Sequence, residues 1–207
     1  MSNWNFGGPP LFIPQQPVKR RVFVSYCHLN QQEAVNFISR WQNVFTPRIL
    51  GMPYSNDIIN STNPEYVMSQ IRQNYLGDST VTIVLIGSCT HSRRYVDWEI
   101  KASLRQGDGL PNGVVAFLLP SAQLQNGNVF IKTQQQYPPL PPRLGENYTL
   151  NNATKYARYW LMPTTDEEMR TCIEDAFTSR TTRATAIVNS NEMMKYNAQC
   201  RVCGATH

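Results

Sequence analysis

The sequence predicts an α/β fold in which a parallel sheet is covered by helices on both faces. Three observations carry that expectation. Residues 81–86 (VTIVLI) and 114–119 (VVAFLL) are continuous apolar runs rich in β-branched side chains, the pattern of strands buried on both faces. From Tyr95 the period becomes helical, with Val96, Ile100 and Leu104 on one stripe. From Arg21 onward, short strands and helices alternate as β-α-β-α-β-α-β, and such units join parallel strands through right-handed crossovers.

Taken in order, residues 1–18 read as an arm. Four prolines and two glycines bar a regular helix there, while Trp4, Phe6, Leu11 and Phe12 leave open both disorder and docking on a neighbouring surface. Residues 22–26 form a short strand, and Asn30 is placed as the N-cap of a helix over 31–45 with Ala34, Phe37, Ile38, Trp41 and Phe45 inward and Pro47 closing it. A weak strand is expected at 48–52, then an exposed polar loop over 53–63. Pro64 opens a helix with Tyr66, Val67, Ile71 and Tyr75 on its stripe, stopping at Gly77. The Gln-, Asn- and Pro-rich stretch 120–155 reads as a surface excursion outside the core. Residues 156–161 are an edge strand before Pro163. Thr165 and Glu168 have capping-box spacing for a helix over 165–178, with Met169, Cys172, Ile173, Ala176 and Phe177 inward. The extension 179–207 is expected to continue as helix and then fray.

A chain of 207 residues buries one good core, so one domain over 19–178 is expected. Its charge of +5, with 16% charged residues and no basic block longer than Lys19-Arg20-Arg21, suits a small anionic ligand better than a dedicated nucleic-acid surface, or is incidental. Five cysteines show no disulfide framework, no signal peptide opens the chain, and apolar runs are far too short for a membrane span. A cytoplasmic protein without membrane contact is expected.

Helix geometry places Glu99 roughly 80 to 90° from the centre of the apolar stripe, on the shoulder above Tyr95, where a carboxylate could line a cleft. Asp97 lies roughly 160° from Glu99, so the two acids are not a pair, and Trp98 is placed near the outward face. No P-loop, GxGxxG, HExxH or GxSxG occurs. Cys200 and Cys203 form a CxxC near His207, but no second CxxC completes four ligands, so they read as tail thiols and no metal is expected.

Open parallel sheets bind ligands beyond the carboxyl ends of their strands, between the first and third strands when the order is 2-1-3-4-5. Those ends are Ser25-Tyr26-Cys27-His28 and Gly87-Ser88-Cys89, with Arg93 and Arg94 nearby. One carboxylate is too few for ordinary glycosidases, which use two. It suffices where the leaving group is already cationic, as when nicotinamide departs from NAD as a neutral base and the carboxylate stabilises an oxocarbenium-like ribose. Ser25 and His28 are candidates to touch ribose or phosphate, although a satisfied loop histidine is the commoner role for His28. Ser88 is a turn hydroxyl or a ligand contact, and Phe23 and Tyr26 pack in the core and rim.

RRVFVSY at 20–26, IRxxYxxxSTVTIVLIG at 71–87 and SRRYVDWEI at 92–100 together resemble TIR domains, most closely the bacterial TIR-like proteins of the Thoeris anti-phage system. The resemblance spans about 19–119, and the [WY]VxxEI pattern at Tyr95 to Ile100 is its most specific piece. It implies a flavodoxin-like three-layer fold, with an N-terminal arm and a C-terminal helical extension added in this chain. It also implies NAD cleavage, with Glu99 in the position of the family's catalytic glutamate and Tyr95 in that of an aromatic lining the site; the strand ends add Phe23, Ser25, Tyr26, His28 and Ser88 as candidate substrate-binding residues. NAD would then be substrate, with no cofactor. The implied product is a cyclic ADP-ribose isomer that reaches a separate effector by diffusion, a phage-derived trigger and a homo-oligomer being further expected partners. A non-catalytic interaction or nucleotide-sensing module is the alternative. The 53–63 loop is not a clear match to the loop that TIR domains use for assembly, and the resemblance does not place 120–207.

Overall fold

The computed structural model describes residues 18–49, 63–107, 109–124, 139–148 and 153–206. The arm over 1–17, nearly all of the 53–63 loop, the centre of the 120–155 excursion and His207 lie outside the described residues.

Among the described residues five strands form one parallel sheet in the order β2-β1-β3-β4-β5. They are β1 (Arg21–Tyr26), β2 (Thr46–Arg48), β3 (Val81–Ile86), β4 (Gly113–Leu118) and β5 (Arg158–Trp160). Both β3 and β4 are buried along their whole length, as their unbroken apolar runs require. The helices are α1 (Gln31–Trp41), α2 (Pro64–Ile71), α3 (Arg94–Ser103), α4 (Pro120–Leu124), α5 (Pro142–Asn147) and α6 (Asp166–Thr182).

The two-residue period of the strands sorts their side chains into two layers. On one face Val22, Val24, Ile83, Leu85, Val115 and Phe117 pack with Phe37 and Trp41 of α1 and Met169, Ile173 and Ala176 of α6. On the other, Val84, Ile86, Val114, Ala116 and Leu118 meet Val96, Ile100 and Leu104 from α3 and its C-terminal end, and Leu144 of α5. Phe23 faces the same way and packs in a cluster with Val67, Ile71, Tyr75 and Trp98. Ser25, two residues further along β1, therefore also projects towards α3.

Several elements differ from the expected bounds. Helix α1 ends at Trp41, and Val44 and Phe45 are buried in the connection beyond it. Strand β2 begins at Thr46 and contains Pro47, which an edge strand tolerates because the missing N–H is not needed on the open side. The helix opened by Pro64 closes through a π-helical turn, Arg72–Leu76, before Gly77; Tyr66 is half exposed, whereas Val67, Ile71 and Tyr75 are buried. At α6 the capping box is complete, with Thr165 accepting from the Glu168 N–H and the Glu168 carboxylate accepting from the Thr165 N–H. Helix α6 continues to Thr182, four residues past the expected end.

The described part of the 120–155 excursion corrects the surface reading. Arg143, Leu144 and Asn147 of α5 are buried, because the Pro141-Pro142 pair sets up a short helix that lays Leu144 into the second core layer. The frayed tail is likewise corrected. After a 3-10 turn at Ala184–Ala186 the chain runs without further helix along α3, so the extension is helical only at its start. This strap is hydrogen-bonded throughout. Lys101 Nζ donates to Asn191 O, Trp98 Nε1 to Met194 O, Met194 N to Asp97 Oδ2, Ala198 N to Ser92 O, and Arg94 N to Asn197 Oδ1. Among the described residues no helix is long and apolar enough to cross a membrane.

Candidate active site

Strands β1 and β3 lie side by side, with Ser25 in register with Val84 and Tyr26 with Leu85, so their carboxyl ends open onto one place. The loops leaving those ends touch. Gly87 sits against Asn30 so closely that a Cβ there would lie 2.1 Å from Asn30 Oδ1. Arg93, itself buried, donates from Nε to Cys27 Sγ at 3.1 Å and ties the loop after β3 to the loop after β1.

Helix α3 enters this region with Glu99. The Ser25 hydroxyl donates to Glu99 Oε2 at 2.6 Å, and both residues are buried, Ser25 at 1% and Glu99 at 6% exposure. Burial pushes the Glu99 carboxyl up to about 8, and the Ser25 hydrogen bond acts the other way. The group is therefore largely protonated at neutral pH. The expected solvent shoulder does not exist, because α3 is covered nearly all round: Val96, Asp97, Trp98, Glu99, Ile100, Ala102 and Ser103 are all buried beneath the sheet, neighbouring helices and the strap. Trp98 is corrected for the same reason. Instead of facing outward it is 1% exposed, capped by Met194 O.

Asp97 does not pair with Glu99. Its carboxylate receives Arg143 Nε at 3.0 Å, both side chains almost wholly buried, and also the Met194 N–H. Arg143 in addition donates to Asn191 O and Glu192 O, so the ion pair holds the strap against α3.

The other expected site residues fall into two groups. Tyr26 is half buried at the end of β1, its phenol raised first by burial and then by the nearby Glu99 charge. Tyr95, one turn before Glu99, is 37% exposed and stacks edge-on with Trp98 at 5.3 Å. Ser88 is half buried and His28 exposed, on the β3 and β1 loops respectively. Phe23 is different. It is fully buried with its ring 6.4 Å from Tyr75, so it shapes the floor beneath Ser25 and does not line an open site. A cavity of about 590 Å³ lined by Arg72, Ser79, Ser103, Arg105, Asn112 and Arg180 lies at the opposite, amino-terminal end of the strands, away from all of these residues.

Two constellations were not legible in the sequence. Cys27 and Arg93 are 66 positions apart, and Asp97 and Arg143 are 46 apart, and nothing in either segment announces the partner. A further cluster, Cys89 with Cys200 and Cys203, gathers the CxxC and a third thiol.

A doubly wound parallel sheet in the order 2-1-3-4-5, with a buried carboxylate at the switch between β1 and β3, defines a flavodoxin-like α/β protein. Residues 23–122 match the family model described as Thoeris protein ThsB, TIR-like domain. Over those residues the chain is therefore similar to the TIR-like domain of the Thoeris family of anti-phage defence. No curated protein matches the chain.

Proposed function

We propose that the chain cleaves NAD at the nicotinamide–ribose bond, with Glu99 as the catalytic carboxylate. The observation that supports this reading is the Ser25–Glu99 pair at the carboxyl ends of β1 and β3, where open α/β sheets take their ligands. Nicotinamide leaves as a neutral base carrying the electron pair of the broken C–N bond, so no general acid is needed. The ionised Glu99 stabilises the positive charge left on the ribose, and Ser25 fixes the orientation of that carboxylate. The cationic ring of bound NAD favours the ionised form, drawing Glu99 down from about 8 towards neutrality. Tyr95 and Ser88 are assigned to the nicotinamide riboside, and His28 to phosphate or ribose. The ribosyl cation is then captured either by water, giving linear ADP-ribose and a proton, or by a nucleophile within the same molecule, giving a cyclic isomer and a proton. The cyclic product, acting on a separate effector, is the outcome this reading favours, and the family match supports only its setting in anti-phage defence.

At 6% exposure Glu99 is beneath the surface of the resting chain. Turnover thus requires an opening of the β1 and β3 loops, consistent with activation by a phage-derived trigger. The test is incubation of the purified protein with NAD, with and without lysate of phage-infected cells, and separation of products by chromatography and mass. Nicotinamide plus a cyclic species, both lost in Glu99→Gln, is the expected result. Linear ADP-ribose alone would make it a depleting hydrolase, and intact NAD under both conditions would replace the enzyme with a non-catalytic interaction or sensing module.

A further inference from the structure

We propose that Cys89, Cys200 and Cys203 form a thiolate site for one soft divalent metal ion, zinc in the first instance, which fastens the C-terminal strap to the loop after β3. The three sulfurs converge from segments more than a hundred residues apart. Cys200 Sγ lies 2.8 Å and Cys203 Sγ 3.4 Å from Cys89 Sγ, and all three lie within 4.8 Å of one another. Sulfurs sharing one tetrahedral zinc at about 2.3 Å stand roughly 3.8 Å apart, so the Cys89 sulfur would separate from its two partners by about 1 Å or less on binding. All five cysteines are thiols, and a disulfide would engage only two of the three that meet at this point.

The CxxC is folded as a metal knuckle. Gly204 N donates to Cys200 O at 2.8 Å, and Cys200 N donates to Ala205 O at 2.8 Å. Gly204 itself has φ +75, the left-handed conformation that lets the chain reverse directly after the second cysteine. The turn also brings the backbone N–H groups of Val202 and Cys203 to Cys200 Sγ. A second clamp holds the knuckle in place, since Arg201 N donates to Nε2 of the buried His91 at 3.0 Å. That bond keeps Nε2 an acceptor, so His91 serves as an anchor beside the site while the cysteines supply the ligands.

Burial fits the same assignment. Cys200 is 0% and Cys89 7% exposed, while Cys203 is exposed, so the ion would be covered on two sides and reach solvent on the third, where water completes its coordination. Binding displaces the thiol protons to solvent and joins positions 111 residues apart. The ion would close the strap at the end where its hydrogen bonds to α3 and the turn before it finish. Ser88 O, which receives the Cys200 thiol at 3.7 Å, connects the cluster to the β3 loop at the candidate site.

The experiment is metal analysis of the full chain purified under reducing conditions, followed by titration of the demetallated protein with Zn²⁺ against a chromophoric chelator and with Co²⁺ in the spectrophotometer. One zinc per chain, thiolate-to-cobalt charge-transfer absorption, and at least about a hundredfold loss of Zn²⁺ affinity in Cys203→Ser are expected. Cys203 is exposed, so that variant retains the fold; circular dichroism checks this, and Cys172→Ser, outside the cluster, keeps full affinity. Demetallation should also expose Trp98 beneath the strap and shift its fluorescence to the red. Zinc affinity unchanged by Cys203→Ser, no charge-transfer band, or a Cys89–Cys200 disulfide by mass spectrometry in protein kept reduced would each overturn the proposal. None of these readouts depends on NAD turnover.

Discussion

Replacing Glu99 with glutamine should make the protein more stable, by an amount that grows with pH. The Glu99 carboxyl is raised from an ordinary value of 4.5 to about 8 by burial. A folded-state value above the unfolded one means that, between those two limits, the unfolded chain has released a proton that the folded chain still holds. Stability therefore falls as pH rises from 4.5 to 8 and levels off above. The penalty relative to a neutral side chain is about 1 kcal/mol at pH 5, about 3 kcal/mol at pH 7 and about 4 to 5 kcal/mol at pH 8.5. Glutamine has no proton to lose, and its amide oxygen can still accept from Ser25 Oγ. The assay is urea denaturation of both proteins at pH 5 and pH 8.5, read by circular dichroism. The expected outcome is a stability advantage for Glu99→Gln that widens by about 3 to 4 kcal/mol between the two pH values. A constant difference, or a variant that weakens as pH rises, would refute the assignment of a buried, largely protonated carboxyl.

Further outcomes follow from the same geometry. If Glu99 acts ionised, kcat/KM for NAD should rise between pH 6 and 9 with a midpoint near 8, while kcat should titrate lower because bound NAD is cationic; a flat profile counts against the mechanism. Ser25→Ala removes a hydrogen bond that lowers the Glu99 value, so turnover at pH 7 should fall by roughly 10- to 100-fold and the kcat/KM midpoint should move upward. Arg143→Ala leaves Asp97 buried without its partner and should cost about 3 to 5 kcal/mol, with faster proteolysis of the strap around 189–201. Thr165→Ala removes the N-cap of α6 and should cost about 1 kcal/mol by urea midpoint at an unchanged slope.

Legibility in the sequence followed the range of the forces involved. The capping box at Thr165 and Glu168, the buried runs of β3 and β4, and the stop at Gly77 are each decided by neighbours within one helical turn or one strand, so they could be read directly. Pro47 was read by the same local logic as a helix terminator, yet pairing with β1 places it inside an edge strand, a context that no local rule contains. Trp98 and Glu99 show the limit most clearly. A helical wheel assigns faces relative to one apolar stripe, and it cannot anticipate a second cover arriving from residue 191 onward.

What the sequence determined alone is the alternation of elements, and with it the parallel sheet and the carboxylate near the ends of β1 and β3. Periodicity and composition act locally and survive without knowledge of partners. The tertiary structure decided what surrounds that carboxylate. Whether Glu99 is solvated or buried, whether Asp97 is solvated or half of an ion pair with Arg143, and whether the CxxC lacks or finds a third thiol all depend on contacts between segments 46 to 114 positions apart. Such contacts form only when the strap lies along α3. Desolvation and ligand geometry are properties of that enclosure, and no single segment carries them.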